Sequence, residues 1–251
     1  MTKNEVMKKL KSLSCTEDVE MQKHFGITAK KQLGIRTPVL RKLAKEIRIN
    51  HSLALELWDT EILEARILAA FIADHKQISE KEMEKWLKDF DNWAICDGVC
   101  SAVFDKTPIA YEKAMEWAER KHEFEKRAGF VMMAVLAVHD KKSEDEKFLP
   151  FFELIKKHSD DDRNFVKKAV NWALRQIGKR NAFLYEEALL VAEEISELES
   201  KSAKWIAADA LREFRSENVN VRRKKEFRSQ KSESRIQKIK LIPLFLMASE
   251  F

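Results

Sequence analysis

Residues 163–181 read RNFVKKAVNWALRQIGKRN. On a helical wheel Val166, Val170, Ala173 and Ile177 share one side, the spacing of a helix that faces a core. Lys168, Trp172, Arg175 and Lys179 repeat that spacing on the opposite side. Residues 163–180 hold six basic residues and no acidic one. Like charges along a helix repel by a few tenths of a kcal/mol per pair, roughly. The face therefore calls for a polyanion, with the indole placed to meet a base or sugar. The plainer alternative has Trp172 covering a neighbouring helix and the lysines merely solvated.

The rest of the chain repeats this helical pattern. Five glycines and four prolines in 251 residues leave few breakers, as expected of an almost wholly helical protein with a sizeable core. Residues 4–13 and 17–24 read as short helices. In FGITAKKQLGIRTPVLRKLAKEIRIN, residues 25–50, Thr37 before Pro38 reads as a hydroxyl cap followed by proline at the first helical position. Arg36, Arg41, Lys42, Lys45 and Arg48 form a basic patch there, interrupted only by Glu46. Helices are expected over 53–58 and 61–74, and helix pairs follow. Capping boxes Ser79-x-x-Glu82 and Ser143-x-x-Glu146, and Thr107-Pro108, mark first helices near 79, 144 and 109; another starts near 183. A spacing of roughly 30–40 residues is the rhythm of a helical solenoid. The expected fold is all-α: a right-handed α-α superhelix of HEAT-like repeats over residues 1–214, with a concave basic face. Its inner helices bring those beginning near 92, 123 and 163 side by side.

Residues 215–240 carry ten Lys/Arg against three Glu, so the net charge of +5 comes from the tail and residues 1–214 stand at −1. A nucleic-acid site in the body depends on where charge is placed. The tail, 215–251, is expected to be poorly ordered and to add unspecific affinity; its apolar LIPLFLMA, 241–248, has no derived role. Cys15, Cys96 and Cys100 suggest a reduced compartment, and neither a signal peptide nor a membrane span is readable, so a cytoplasmic location is expected.

The second informative stretch is DNWAICDGVCSAVF, residues 91–104. Trp93 and Asp97 are one turn apart, about 6 Å on one helix face. A carboxylate beside an indole suits a cation. Alternatively Trp93 is core and Asp97 pairs with an arginine. Arg127 heads an apolar stripe with Val131, Ala134 and Val138 and needs an anion, either Asp97 or a phosphate. Cys96 and Cys100 lack the companions of a metal motif and read as buried thiols; no metal or cofactor is expected.

GIRTPVLRKLAKE (34–46), the W-x-x-x-D of Trp93 and Asp97, and FVKKAVNWALRQIGKRN (165–181) together resemble the DNA alkylation repair proteins of the AlkD type, which are HEAT-like-repeat DNA glycosylases. The resemblance covers about residues 1–214 and is most specific at 165–181. It implies Trp93, Asp97 and Trp172 as catalytic-site residues, Arg127 and Arg175 as DNA-contacting arginines, and Thr37 as a further contact. Arg36, Lys168 and Lys179 join the DNA-binding set from the basic faces. The implied reaction is excision of N3- and N7-alkylated purines from duplex DNA. A cationic base leaves readily; Asp97 would stabilise charge on the sugar and help orient a water, while the two indoles hold the sugar. Recognition through backbone and shape would replace base flipping. Some relatives bind DNA without excising bases, so the alternative is a non-catalytic module for unusual DNA structure. A protein–protein scaffold is a third reading, and no obligate protein partner is expected.

Overall fold

The computed structural model describes residues 1–216. The tail expectations for 217–251, including the apolar run at 241–248, lie outside the described residues. Among the described residues there are thirteen α-helices, two short 3-10 turns and no strand. They are α1 Lys3–Ser12, α2 Thr16–His24, α3 Thr37–Ile47, α4 His51–Trp58, α5 Leu63–Ile72, α6 Glu80–Lys88 and α7 Trp93–Ala102. They continue as α8 Ala110–Ala118, α9 Glu123–His139, α10 Leu149–Lys157, α11 Asn164–Gly178, α12 Ala182–Ser196 and α13 Lys201–Phe214. No described helix is long and apolar enough to cross a membrane.

α4 packs on α5, α8 on α9, α10 on α11 and α12 on α13, and the second members form an inner row. Within it α3 packs on α5, α5 on α7, α7 on α9, α9 on α11 and α11 on α13. This is the HEAT-like solenoid arrangement, with the three helices expected to be neighbours placed together. Cys96 Sγ lies 3.7 Å from the Phe124 carbonyl and Cys100 Sγ 3.9 Å from that of Ala128. Matching steps along both helices mean that α7 and α9 run parallel and in register.

Side chains from both layers meet in one continuous core. Trp58 stacks on Trp86 at 4.0 Å, and Phe104 links Trp86 to Trp117 at 6.2 and 5.6 Å. A buried indole N–H needs an acceptor; Trp58 donates to Asp89 at 2.7 Å and Trp117 to Glu84 at 2.9 Å. α8 and α9 approach so closely at Gly129 that a Cβ there would stand 2.2 Å from the Ala118 nitrogen.

The Ser79–Glu82 capping box forms at the head of α6. Thr37-Pro38 and Thr107-Pro108 place the starts of α3 and α8 to within a residue, though neither threonine caps its helix, and Ser143 misplaces the start of α10. Thr37 is the first residue of α3 and makes no capping bond. Thr107 and Ser143 turn their hydroxyls back to Phe104 O and Asp140 Oδ2, at 2.8 and 2.7 Å. α10 consequently begins only at Leu149, after a 3-10 turn over Asp145–Lys147. Pro150, which has no N–H to bond to the carbonyl four residues back, fixes that late start. The loop before α3 is held from α5: buried Glu64 accepts from the backbone N–H of Leu33, Gly34 and Ile35 at 2.8, 2.7 and 3.2 Å.

Candidate nucleic-acid interface

The N-terminal edge of the inner row holds Trp93, Asp97 and Arg127. Asn92 starts α7 by accepting from Ala94 and Ile95 N–H. This fixes Trp93 as the first helical residue, half-buried, its Nε1–H donating to Phe25 O at 3.0 Å. One turn on, Asp97 meets Arg127. Arg127 Nε and Nη2 donate to the two carboxylate oxygens at 2.8 and 2.7 Å, and Nη1 donates to Phe165 O at 2.6 Å. One guanidinium thus ties α7, α9 and α11 together. Burial pushes the Asp97 carboxyl above the ordinary carboxylate range, and the Arg127 fork pulls it back down. The Asp97 side chain keeps 21 % exposure and Arg127 only 8 %. Of the two anions weighed for Arg127, Asp97 is the one it holds. The arginine is therefore not an open DNA contact in this structure.

Aromatic residues that the sequence did not single out for a role lie on the elements around this pair. Phe124 and Phe165 lie 5.3 Å apart, and Gly26 stands against the Phe165 ring. Phe25 is 63 % exposed. Beside Asp97, a Cβ added at Gly98 would meet nothing within 4 Å. A glycine inside a helix costs stability, and here no packing neighbour requires it.

α11 follows its wheel on the core side: Val166, Val170, Ala173 and Ile177 are fully buried. Its opposite side is not the open cationic face expected. Trp172 is half-buried against the core. Arg175 pairs with Asp209 and Glu213 at 3.1 and 2.8 Å, and Lys179 with Glu213 at 2.5 Å, all from α13. Arg163 is bound to Asp161, Arg180 to backbone carbonyls of Ala137 and Ser143, and Lys167 lies over the Trp205 ring. Among the described residues, Lys168 alone of the six cations is left without a partner. The internal acids resolve the like-charge repulsion that seemed to demand an outside polyanion.

At the head of α3, Thr37 is exposed. Arg36 is exposed as well but is bidentate with Asp18, at 2.8 and 2.7 Å. Neither touches the α7–α9–α11 cluster through a hydrogen bond or ion pair among the described residues. Cys96 and Cys100 are buried, free thiols, and no group of three metal-ligating side chains occurs among the described residues.

Fold and site together define a helical-repeat protein whose inner row presents indoles, phenyl rings and a partly open carboxylate. The chain belongs to the family described as DNA alkylation repair enzyme, whose model matches residues 6–214. Among solved structures it is similar to one described as a new family of proteins related to the HEAT-like repeat DNA glycosylases with affinity for branched DNA structures. That likeness has 23 % sequence identity, a TM-score of 0.70, and covers 84 % of this chain and 95 % of the other. No curated protein matches the chain.

Proposed function

We propose that this protein binds DNA on its inner row and recognises backbone geometry, favouring branched or otherwise distorted DNA over excision of a base. The observation that carries this reading is the Asp97–Arg127 fork. Excision needs a carboxylate free to face positive charge developing on the sugar. Here Arg127 donates a hydrogen bond to each Asp97 oxygen. The rings around it are suited to stacking on bases exposed where strands part. The affinity for branched DNA attributed to the similar solved structure points the same way. Such a protein would work in the cytoplasm at the nucleoid.

Excision of N3- and N7-alkylated purines is the second reading. It is favoured by Trp93 and Asp97 standing one turn apart with the carboxylate still partly exposed. A phosphate drawing Arg127 away would free Asp97 for that chemistry. Two assays separate the readings. Anisotropy titrations should give tighter binding to a four-way junction than to a linear duplex of the same length. Methylated duplex DNA incubated with excess protein should release N7-methylguanine and N3-methyladenine at the spontaneous rate. Release well above that rate would establish the second reading, and equal affinity for junction and duplex would remove the preference for branched DNA.

A further inference from the structure

The opposite, C-terminal edge of the inner row carries a groove of about 590 Å³ that the function above does not use. Arg41, Lys45 and Arg48 line it from α3 and the residue after it; Phe71, Lys106 and His139 close it from the neighbouring helices. No carboxylate lines it. Elsewhere several cations that meet an acid pair with it, as with Lys9–Glu46, Arg36–Asp18 and Arg175–Glu213. Among the described residues Arg41, Lys45 and Arg48 have no ion-pair partner. Lys106 donates to Ala102 O and so answers the α7 C-terminus. Lys45 and Arg48 stand at the C-terminal end of α3, where cations are favourable, and Arg41 lies a turn further back.

Three details show the groove to be shaped. The Arg41 guanidinium lies over the Phe71 ring, 4.5 Å from its centroid, which holds the charge in place on an apolar floor. Arg48 has φ +65° and ψ −174°, a backbone region suited to glycine, yet the chain places an arginine there. His139 Nδ1–H donates to Asp105 Oδ2 at 2.5 Å, where the Asp105 side chain is 1 % exposed and that of His139 44 %. The buried carboxylate orients the ring and leaves Nε2 as its free nitrogen.

Trp93 and Ser101, which borders the groove, are eight residues apart along α7. At the helical rise that separation is about 12 Å. It is comparable to the width of a DNA major groove, about 12 Å. We infer that this groove is a phosphate-binding site for the second strand of a duplex whose first strand lies on the aromatic edge at Trp93. The inference rests on the DNA-binding function proposed above and extends it by assigning the two backbones to the two edges of the inner row.

The test uses the double variant Arg48→Gly/Lys45→Gln in the full chain. Glycine suits the Arg48 backbone and Lys45 is exposed, so the variant should melt no lower than the wild type. Fluorescence anisotropy is measured with a 20-base-pair duplex and with one of its strands alone, over a range of salt. For the duplex, affinity should fall about tenfold or more and the log–log salt slope should become shallower by about two. Affinity for the single strand should change by less than about twofold. Unchanged duplex affinity and slope would overturn the inference, as would equal losses on duplex and single strand. A wild-type protein that bound neither probe would instead remove the DNA-binding function, and this site with it.

Discussion

Asp97 and Arg127 lie 30 residues apart in sequence and meet through two parallel hydrogen bonds of 2.8 and 2.7 Å, in the interior of the inner row. Removing one member of a buried pair leaves the other charge without compensation, at a cost of about 3–5 kcal/mol. Asp97→Asn is therefore expected to lower unfolding stability by about 3 kcal/mol. Arg127→Met placed on that background should recover part of the loss. Urea denaturation of the wild type, both single variants and the double variant measures the coupling. Additive losses would show that the pair does not hold the three helices.

Glu213 binds both Arg175 and Lys179. Glu213→Gln should free Lys179 toward solvent and leave Arg175 with Asp209 alone. Duplex DNA affinity is expected to rise a few-fold, with a salt slope steeper by about one. Anisotropy titrations in two or more salt concentrations decide this. Unchanged affinity would place α11 away from the DNA.

Lys168 and Trp172 share one face of α11 but should fail differently. Lys168→Gln removes a phosphate contact, so binding should weaken alike across sequences and the slope become shallower by about one. Trp172→Ala should weaken binding with little change of slope, because an indole contributes by stacking. Because Trp172 also packs on the core, its melt must be recorded beside the titration.

Gly98 sits within α7 with open space where a side chain would stand. Gly98→Ala should stabilise the free protein by about 0.5–1 kcal/mol through backbone entropy and helix propensity. If the first strand crosses α7 beside Asp97, the added methyl should cost DNA affinity. A variant that melts higher and binds DNA as tightly as the wild type would move the strand off this turn of the helix.

Much of this protein was readable within single segments. The apolar stripe of α11, the helix-pair rhythm and the Ser79 capping box depend on residues a few positions apart, and local geometry follows from local order. The family resemblance likewise rested on short runs at 34–46 and 165–181 and on the Trp93–Asp97 spacing, and the family model matches across 6–214. Where the sequence left Arg127 with either Asp97 or a phosphate, both were sound electrostatics, and nothing local chose between them.

Tertiary packing chose. α13 lies against α11, so acids more than thirty positions away neutralise a face that looked cationic in isolation. Phe124 and Phe165 come together, with their carbonyls on Cys96 and Arg127, because α7, α9 and α11 pack side by side, and the Phe25 carbonyl reaches Trp93 from the loop before α3. At the end of α3, by contrast, the neighbouring helices offer the groove no carboxylate, and Arg41, Lys45 and Arg48 have no ion pair among the described residues. A helix wheel records which side of a segment is charged. Which charges remain available to a ligand depends on what packs across from them, and that is fixed by long-range contacts that the period of one helix does not contain.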